Sequence, residues 1–359
     1  MRPYLTGVFG NPSSHHTAGE AAASALDDAR ARVARVLGMR AGDVVFTAGG
    51  TEANNLAVKG IVLAALDAGR RHLVVSPIEH ESILESAGYL RRFHAVEVTL
   101  LPVDAHGRIA PDDLAAVLRD DTALVSIGHA NNEIGTVQDV AALASVARAV
   151  RVPLHLDAVQ SAGWLPLSDL GADAVSIAGH KLGAPKGIGA LAVRGRVPLE
   201  PLLHGGGQER GRRSGTENVA GAVALATALE LADQERETVA ARVGSATTRF
   251  ISRVLAAVPE AALTGDPVQR LPGTASFTFA GTSGEAVLLE LERRGVISSS
   301  GSACAAGSDE PSHVLVACGV PAEVAQTSVR FTFGREPLPE DAPERLAALV
   351  AESVRTAGG

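Results

Sequence analysis

Four stretches of this chain place chemistry-bearing side chains directly after short apolar runs. Val44-Val45-Phe46-Thr47 is followed by Ala48-Gly49-Gly50-Thr51-Glu52, a glycine turn that opens a helix. Bare N–H groups and a threonine hydroxyl at a helix start suit an anion, most often phosphate. The turn is neither a P-loop nor a G-x-G-x-x-G fingerprint, and alone it reads as well as a tight turn with an N-cap. Ile127 is followed by Gly128-His129-Ala130-Asn131-Asn132-Glu133-Ile134-Gly135, whose paired amides read by themselves as turn formers. Leu156 is followed by Asp157-Ala158-Val159-Gln160. An acid ending a buried strand is costly without a cation, and the neighbouring residues supply none. A protonated ligand nitrogen would. Ile177 is followed by Ala178-Gly179-His180-Lys181, with Lys181 in a glycine-rich loop 24 residues after Asp157. An amine there is ordinarily solvated, yet a lysine that condenses with carbonyls needs such a partly dry position.

These groups depend on the elements that carry them. Short continuous apolar runs at Val44–Thr47, His72–Ser76, Val96–Leu101, Ala123–Ile127, Leu154–Leu156, Ala174–Ile177 and Gly189–Val193 read as strands. Helical patterns lie between most of them, over Glu52–Leu66, Ile83–Phe93, Pro111–Arg119 and Val137–Val150. Continuous apolar strands alternating with helices predict an α/β protein with a mostly parallel sheet buried on both faces. In such sheets ligands bind beyond the C-terminal strand ends, where all four stretches fall. An earlier helix is expected over Thr17–Gly38, with Thr17 and Glu20 as a capping box and Gly38 as its C-terminal stop. From about Val219 a long helical segment runs to Leu255, with Glu217–Leu255 as the expected connector. Short strands at Ala275–Phe279, Gly295–Ser299 and Ser328–Phe333 follow, then a helix over Ala342–Arg355. The division predicted is a large domain over 1–237 and a smaller α+β domain over 238–359.

Composition narrows the function classes. The 359 residues are 46% apolar and 20% charged, ordinary for a globular protein, with no apolar run of the ~18 residues a membrane helix needs. A net charge of −8 gives no nucleic-acid footprint. Cys304 and Cys318 cannot build a disulfide framework, which suits a reducing cytoplasm, and no histidine has zinc-ligand spacing, so no metal is expected. Only Lys59, Lys181 and Lys186 are lysines among 32 basic residues, which makes each more informative.

Pyridoxal phosphate needs a lysine for its aldehyde, an acid for its pyridine nitrogen, a helix N-terminus for its phosphate and a donor for its ring oxygen. Lys181, Asp157, the Gly50-Thr51 turn, and Asn132 or Gln160 supply all four from successive strand ends.

With those residues in place, the chain resembles cysteine desulfurases of the NifS/IscS type in the class V aminotransferase family. The matching segments include Phe9-Gly10-Asn11-Pro12, Gly50-Thr51-Glu52, Glu79-His80, Asn131-Asn132-Glu133-Ile134-Gly135 and His155-Leu156-Asp157-Ala158-Val159-Gln160. They continue through Gly179-His180-Lys181, Gly205-Gly206-Gly207-Gln208-Glu209-Arg210, Arg213-Ser214-Gly215-Thr216, Gly301-Ser302-Ala303-Cys304 and Ser328-Val329-Arg330-Phe331. The resemblance implies the pyridoxal-phosphate fold type I, with a mostly parallel seven-stranded sheet in the large domain. It also implies roles. Lys181 would hold the cofactor and move protons, Asp157 would pair with the pyridine nitrogen, and Gln160 with the ring oxygen. His80 would stack on the ring and assist proton transfer, and Ala158 would pack its other face. Gly50, Thr51 and His180 would contact the phosphate, joined by Thr216 of the partner subunit in a homodimer. Asn132 and Arg330 would hold the carboxylate of L-cysteine, and Cys304 would take its sulfur as a persulfide, releasing alanine. The small, polar, glycine-bearing flank Ser298–Gly307 reads as a loop able to carry such a thiol to an acceptor protein, whereas Cys318 has no expected role. The span from Cys304 to Arg330 matches the subgroup that feeds iron–sulfur assembly and tRNA thiolation.

Three departures accompany the resemblance. Met1-Arg2-Pro3-Tyr4 aligns beyond the family's opening strand, so the expectation is either that Met1 is an internal methionine or that the small domain lacks that strand. Ala178 stands where the family often has a serine, and the C-terminal extension that docks scaffold proteins in relatives is expected to be short. Two further readings share the motifs: a selenocysteine lyase or other class V β-lyase or aminotransferase, and a weakly catalytic homologue that binds partners.

Overall fold

Apolar spacing along Thr17–Val36 forms helix α1, which buries Ala22, Leu26, Ala29 and Val33 on one face. In the computed structural model, which describes residues 1–300 and 310–358, the chain divides into two units. The first comprises residues 1–101, 110–129 and 139–236. After α1 it contains β1 (Val44–Thr47), α2 (Gly50–Ala65), β2 (His72–Val75), α3 (Glu81–His94), β3 (Glu97–Leu100), α4 (Pro111–Val117) and β4 (Thr122–Gly128). It continues with α5 (Val140–Ala149), β5 (Leu154–Asp157), β6 (Ala174–Ala178), β7 (Gly189–Val193) and α6 (Val219–Gln234).

The seven strands form one sheet in the order β1-β7-β6-β5-β4-β2-β3. Strands β3, β2, β4, β5 and β6 are parallel, and β7 runs antiparallel to both its neighbours. The sheet is therefore the mostly parallel, seven-stranded α/β sheet expected. β4 to β7 are buried nearly throughout, as continuous apolar strands covered on both faces must be. Register decides the site: Gly128 pairs with Asp157, Asp157 with Ser176, and Ala178 and Thr47 both with Gly189. The C-terminal ends of β4, β5, β6 and β1 thus lie along one edge.

Two buried histidines staple the sheet across three strands each. His155 Nδ1 and Nε2 lie 2.8 Å from the hydroxyls of Ser126 and Ser176. His72 bridges Thr122 and Thr99 at 2.9 and 2.8 Å in the same way. Each ring satisfies both nitrogens inside the sheet, and burial favours the neutral imidazole, which does so with one donor and one acceptor.

The second unit comprises residues 102–109, 130–138 and 237–359, described to 358. It holds most of α7 (Arg236–Ala257), then β8 (Ala261–Leu263), β9 (Thr274–Phe279), α8 (Gly284–Arg293) and β10 (Ser299–Ser300). α9 (His313–Ala317), α10 (Ala322–Ala325), β11 (Val329–Thr332) and α11 (Ala342–Ala357) follow. Its antiparallel sheet has the order β10-β11-β9-β8. Phe250 sits in its core, 5.1 to 6.0 Å from the rings of Phe331, Phe333 and Phe277 in edge-to-face contact. Burying each such ring stabilises by roughly 1.5–3 kcal/mol, with a further increment from ring geometry.

Three local expectations are corrected. The N-cap of α1 is His16, whose ring accepts from the Gly19 N–H, so Thr17 is the first helical residue rather than the cap. The single connector over Glu217–Leu255 is two helices, since the chain leaves α6 at Glu235 and restarts at Arg236. The strand expected over Gly295–Ser299 shrinks to Ser299–Ser300, because Gly295 takes a left-handed φ of 79° and Val296 still closes the end of α8.

Candidate active site

In the first unit, the anion-type turn and the acid meet at the sheet edge. A Cβ added at Gly50 would lie 2.7 Å from a Val159 methyl and 3.2 Å from Ala178 Cβ. Only glycine lets the first turn of α2 press against the ends of β5 and β6. Thr51 follows it, exposed at the helix start. Thr51 and His80 line one cavity of about 510 Å³ with Lys59, Ser82, Tyr89 and Arg92, where the Lys59 ammonium lies 4.6 Å from the Tyr89 ring centre.

Asp157 is 9% exposed. Its Oδ1 accepts from the Val159 N–H at 2.9 Å and its Oδ2 from Asn54 Nδ2 at 2.7 Å. Burial pushes its carboxyl above the usual range, while those donors and nearby His80 pull the other way. Ala158 is fully buried behind it, its N–H given to Ser176, and Gln160 is half-buried in the same turn. His80 is the N-cap of α3: its Nδ1 accepts from the Ser82 N–H at 3.1 Å and lies 2.8 Å from Ser82 Oγ. His180 and Lys181 form a 3₁₀ turn directly after β6, both exposed in the single chain. Burial, then the charges of Lys181 and Lys186, hold the His180 imidazole below its ordinary range. Thr216 is exposed and borders a cleft of about 120 Å³ with Ala48 and Arg213. Arg213 in turn holds Glu52 at 2.9 Å, and Glu52 accepts the Ala48 N–H at 2.9 Å. The segment carrying Thr216 is thereby tied to the glycine turn.

In the second unit, the paired asparagines form a cap of their own. Asn131 Oδ1 accepts from the N–H groups of Glu133 and Ile134. Arg330, on β11, donates from Nη1 to the Asn132 carbonyl at 2.7 Å, so two expected substrate-binding residues are neighbours. Cys304 lies outside the described residues. Cys318 is a buried free thiol at the end of α9, and burial pushes it up to about 11, a poor nucleophile. Among the described residues no cluster of metal-ligating side chains occurs, and no helix is long and apolar enough to cross a membrane.

Sequence reasoning passed over Asn54, Ser82 and the role of Glu79. Asn54 is one helical turn beyond Thr51, on the same side of α2, but that spacing by itself names no partner for it. Glu79 is buried beside Asp157 and takes a 2.5 Å hydrogen bond from Ser76 Oγ. Burial pushes its carboxyl up to about 8 against the Ser76 and Gly128 hydrogen bonds.

This gives stability two opposed pH limbs. Between about pH 4.5 and about 8 the native chain keeps a proton on Glu79 that the unfolded chain has released, so stability falls as pH rises there. Burial holds His129 and His155 down to about 4 and about 3. Below the ordinary histidine value of 6.5 the unfolded chain therefore binds protons that the native state refuses, and stability falls with acid. Below 6.5 the two histidines outweigh the one glutamate, so urea unfolding from pH 4 to 9 is expected to show a maximum near pH 6.5. Glu79→Gln is expected to flatten the descent up to pH 8 and to steepen the acid limb between about pH 4.5 and 6.5, where Glu79 opposes the histidines; an alkaline limb as steep in the variant would assign the descent elsewhere.

Known proteins are similar to this chain over nearly its whole length. The family model for class-V aminotransferases matches residues 1–342. The cysteine desulfurase IscS of Dictyoglomus turgidum is 42% identical over 360 residues, covering 99% of this chain and 91% of that protein. The solved structure of a NifS-like protein matches with a TM-score of 0.90 at 32% identity, over 99% of this chain and 94% of that one. The solved structure of SspA in complex with cysteine matches with a TM-score of 0.79 at 34% identity, over 94% of each chain. A match over nearly the whole chain, at identities where fold and motif order are shared, decides the assignment: the chain belongs to the class-V aminotransferase family.

Proposed function

We propose that this chain is a cysteine desulfurase that uses pyridoxal 5'-phosphate to take sulfur from L-cysteine. The observation that carries the reading is Asp157, a buried carboxylate at a strand end whose protein partners are two neutral donors. Such a group is matched by a cationic ring nitrogen. The donor set around it fits the cofactor. Lys181 would hold the aldehyde, Gly50, Thr51 and His180 the phosphate, Gln160 the ring oxygen, with His80 and Ala158 on the two ring faces. Thr216 of the partner subunit would complete the phosphate site in a homodimer. When bound, the cofactor supplies a conjugated cationic ring that stabilises negative charge on the substrate's α-carbon.

The chain's own residues perform the remaining work. Arg330 and Asn132 bind the substrate carboxylate, the arginine by its planar fork. Lys181 removes the α-proton and returns protons to carbon. The Cys304 thiolate attacks the substrate sulfur; a sulfur–sulfur bond forms and the carbon–sulfur bond breaks, leaving its electron pair on the carbon side. A proton added at that carbon gives alanine, and Cys304 carries the persulfide to an acceptor protein or thiol in the cytoplasm. The large domain over 1–237 would carry the cofactor groups, and the small domain over 238–359 the thiol and Arg330. Likeness to the IscS and NifS-like proteins, and to SspA with its bound cysteine, favours cysteine over selenocysteine.

The test is direct. The purified chain supplied with pyridoxal 5'-phosphate is expected to be yellow and to release alanine and sulfide in equal amounts from L-cysteine with excess thiol. Cys304→Ala is expected to lower that rate at least about tenfold, as removal of a nucleophile does. Undiminished sulfide release from cysteine by Cys304→Ala would sink the assignment.

A further inference from the structure

Asn54 and Ser82 stand between two groups that the proposed function uses. Asn54, on the second turn of α2, gives both hydrogens of Nδ2 away: one to Asp157 Oδ2 at 2.7 Å, one to Ser82 Oγ at 2.9 Å. Ser82 Oγ, its lone pair so engaged, turns its own hydrogen to His80 Nδ1 at 2.8 Å. The Ser82 N–H donates to that same nitrogen, so Nδ1 is an acceptor and the neutral ring carries its proton on Nε2. The chain Asp157–Asn54–Ser82–His80 is thus ordered in one direction. Its orientation follows from Asp157, because a carboxylate can only accept.

Burial makes the arrangement rigid. Asn54 is 2% exposed and Ser82 8%. Asn54 Oδ1 is buried with no hydrogen-bond partner, an unfavourable position held because both donors are used. Around Asp157, α2 contributes Asn54, the turn after β5 contributes the Val159 N–H, and the β2–α3 connection contributes His80 and Glu79. Asn54 is the side-chain donor among these that meets the carboxylate directly, and its hold on Ser82 keeps it from turning away.

We propose that Asn54, clamped by Ser82, is a positioning residue for Asp157, keeping its carboxylate charged and aimed at the ring nitrogen of the cofactor. The inference rests on the functional reading above. Leucine at this position would remove the donor at nearly constant volume, leaving the buried carboxylate with one protein donor fewer.

The experiment is a double-mutant cycle on cofactor affinity, read as the Kd of pyridoxal 5'-phosphate from visible absorbance titration of the cofactor-free chain. Asn54→Leu is expected to weaken binding at least tenfold in the wild-type background. In an Asp157→Asn background the same substitution is expected to change Kd less than twofold, since the charge it serves is gone. Ser82→Ala leaves the Asn54–Asp157 contact in place but frees the amide, and a two- to fivefold weakening is expected that also vanishes with Asp157→Asn. It carries the test if Asn54→Leu does not fold. Losses of equal size in both backgrounds would overturn the proposal and leave the functional reading standing. A wild-type chain that takes up no cofactor would overturn both.

Discussion

Lys181→Ala is expected to reduce alanine release from L-cysteine by about 10⁴-fold, the combined scale of a lost nucleophilic anchor and a lost proton-transfer group. Lys181 ends the 3₁₀ turn that leaves β6, two residues beyond Gly179 and on the same sheet edge as Asp157 and Gly50. The chain has only two other lysines, and neither has this placement. Lys59, on α2, lies over the Tyr89 ring of α3, and Lys186 is exposed in the loop beyond the turn. Lys59→Ala and Lys186→Ala are therefore expected to keep turnover within a few-fold of wild type. Lys181→Arg retains the positive charge but not a primary amine able to condense with a carbonyl, and is expected to fail as fully as alanine. Since Lys181 is exposed in the single chain, its removal is expected to leave the urea midpoint unchanged. Turnover above a tenth of wild type in Lys181→Ala would remove this residue from the reaction.

Why Lys181 and Asp157 can be found in the sequence while Asn54 cannot is a matter of physical contrast. A charged side chain after a run of buried strand residues violates the local environment, and the violation is visible one residue at a time. β4, β5, β6 and β7 are legible for the same reason: both faces are covered, so the apolar run is unbroken. Asn54 and Ser82 sit inside ordinary helices, where a polar residue signals nothing until its partners from another helix and a strand are known. The joint between α6 and α7 is equally silent, because alanine, leucine and glutamate favour helix on both sides of Glu235. The membership of 102–109 and 130–138 in the second unit has no linear signal at all, since it depends on which segments meet in space. That matters for the site, because it is how Asn132 comes to sit beside Arg330, 198 residues away.

The largest stability effect is expected from another pair that sequence separation conceals. Arg30, on α1, and Glu209 are 4% and 3% exposed and meet through two parallel bonds of 2.6 and 3.1 Å. Arg30 also donates to the Val44 carbonyl at 2.7 Å and lies 5.1 Å from the Phe46 ring centre, while Glu209 accepts the Phe46 N–H at 3.2 Å. The pair thus fastens the 204–216 segment to α1 and β1. It does so where the backbone is strained: Glu209 and Arg210 take left-handed φ values of 48° and 58°, a conformation that residues other than glycine adopt at a cost of order 1–3 kcal/mol. Arg210 adds a bond of its own to the Val44 carbonyl at 2.5 Å. Arg30→Leu would leave the Glu209 carboxylate buried without its cation, and removing one partner of such a pair costs about 3–5 kcal/mol. A loss of that size in urea unfolding is expected for Arg30→Leu. A smaller one is expected for Arg30→Lys, which keeps the charge but not the fork. The double variant Arg30→Leu with Glu209→Leu is expected to recover part of the loss, because no charge is then stranded. If the double variant is as unstable as the sum of the two single ones, the pair is not coupled and the strain at Glu209 is held by its backbone neighbours instead. Because the same segment carries Arg213 to Glu52 at the glycine turn, Arg30→Leu is also expected to weaken pyridoxal 5'-phosphate binding in the folded protein, whereas a purely remote destabilisation would leave that affinity unchanged.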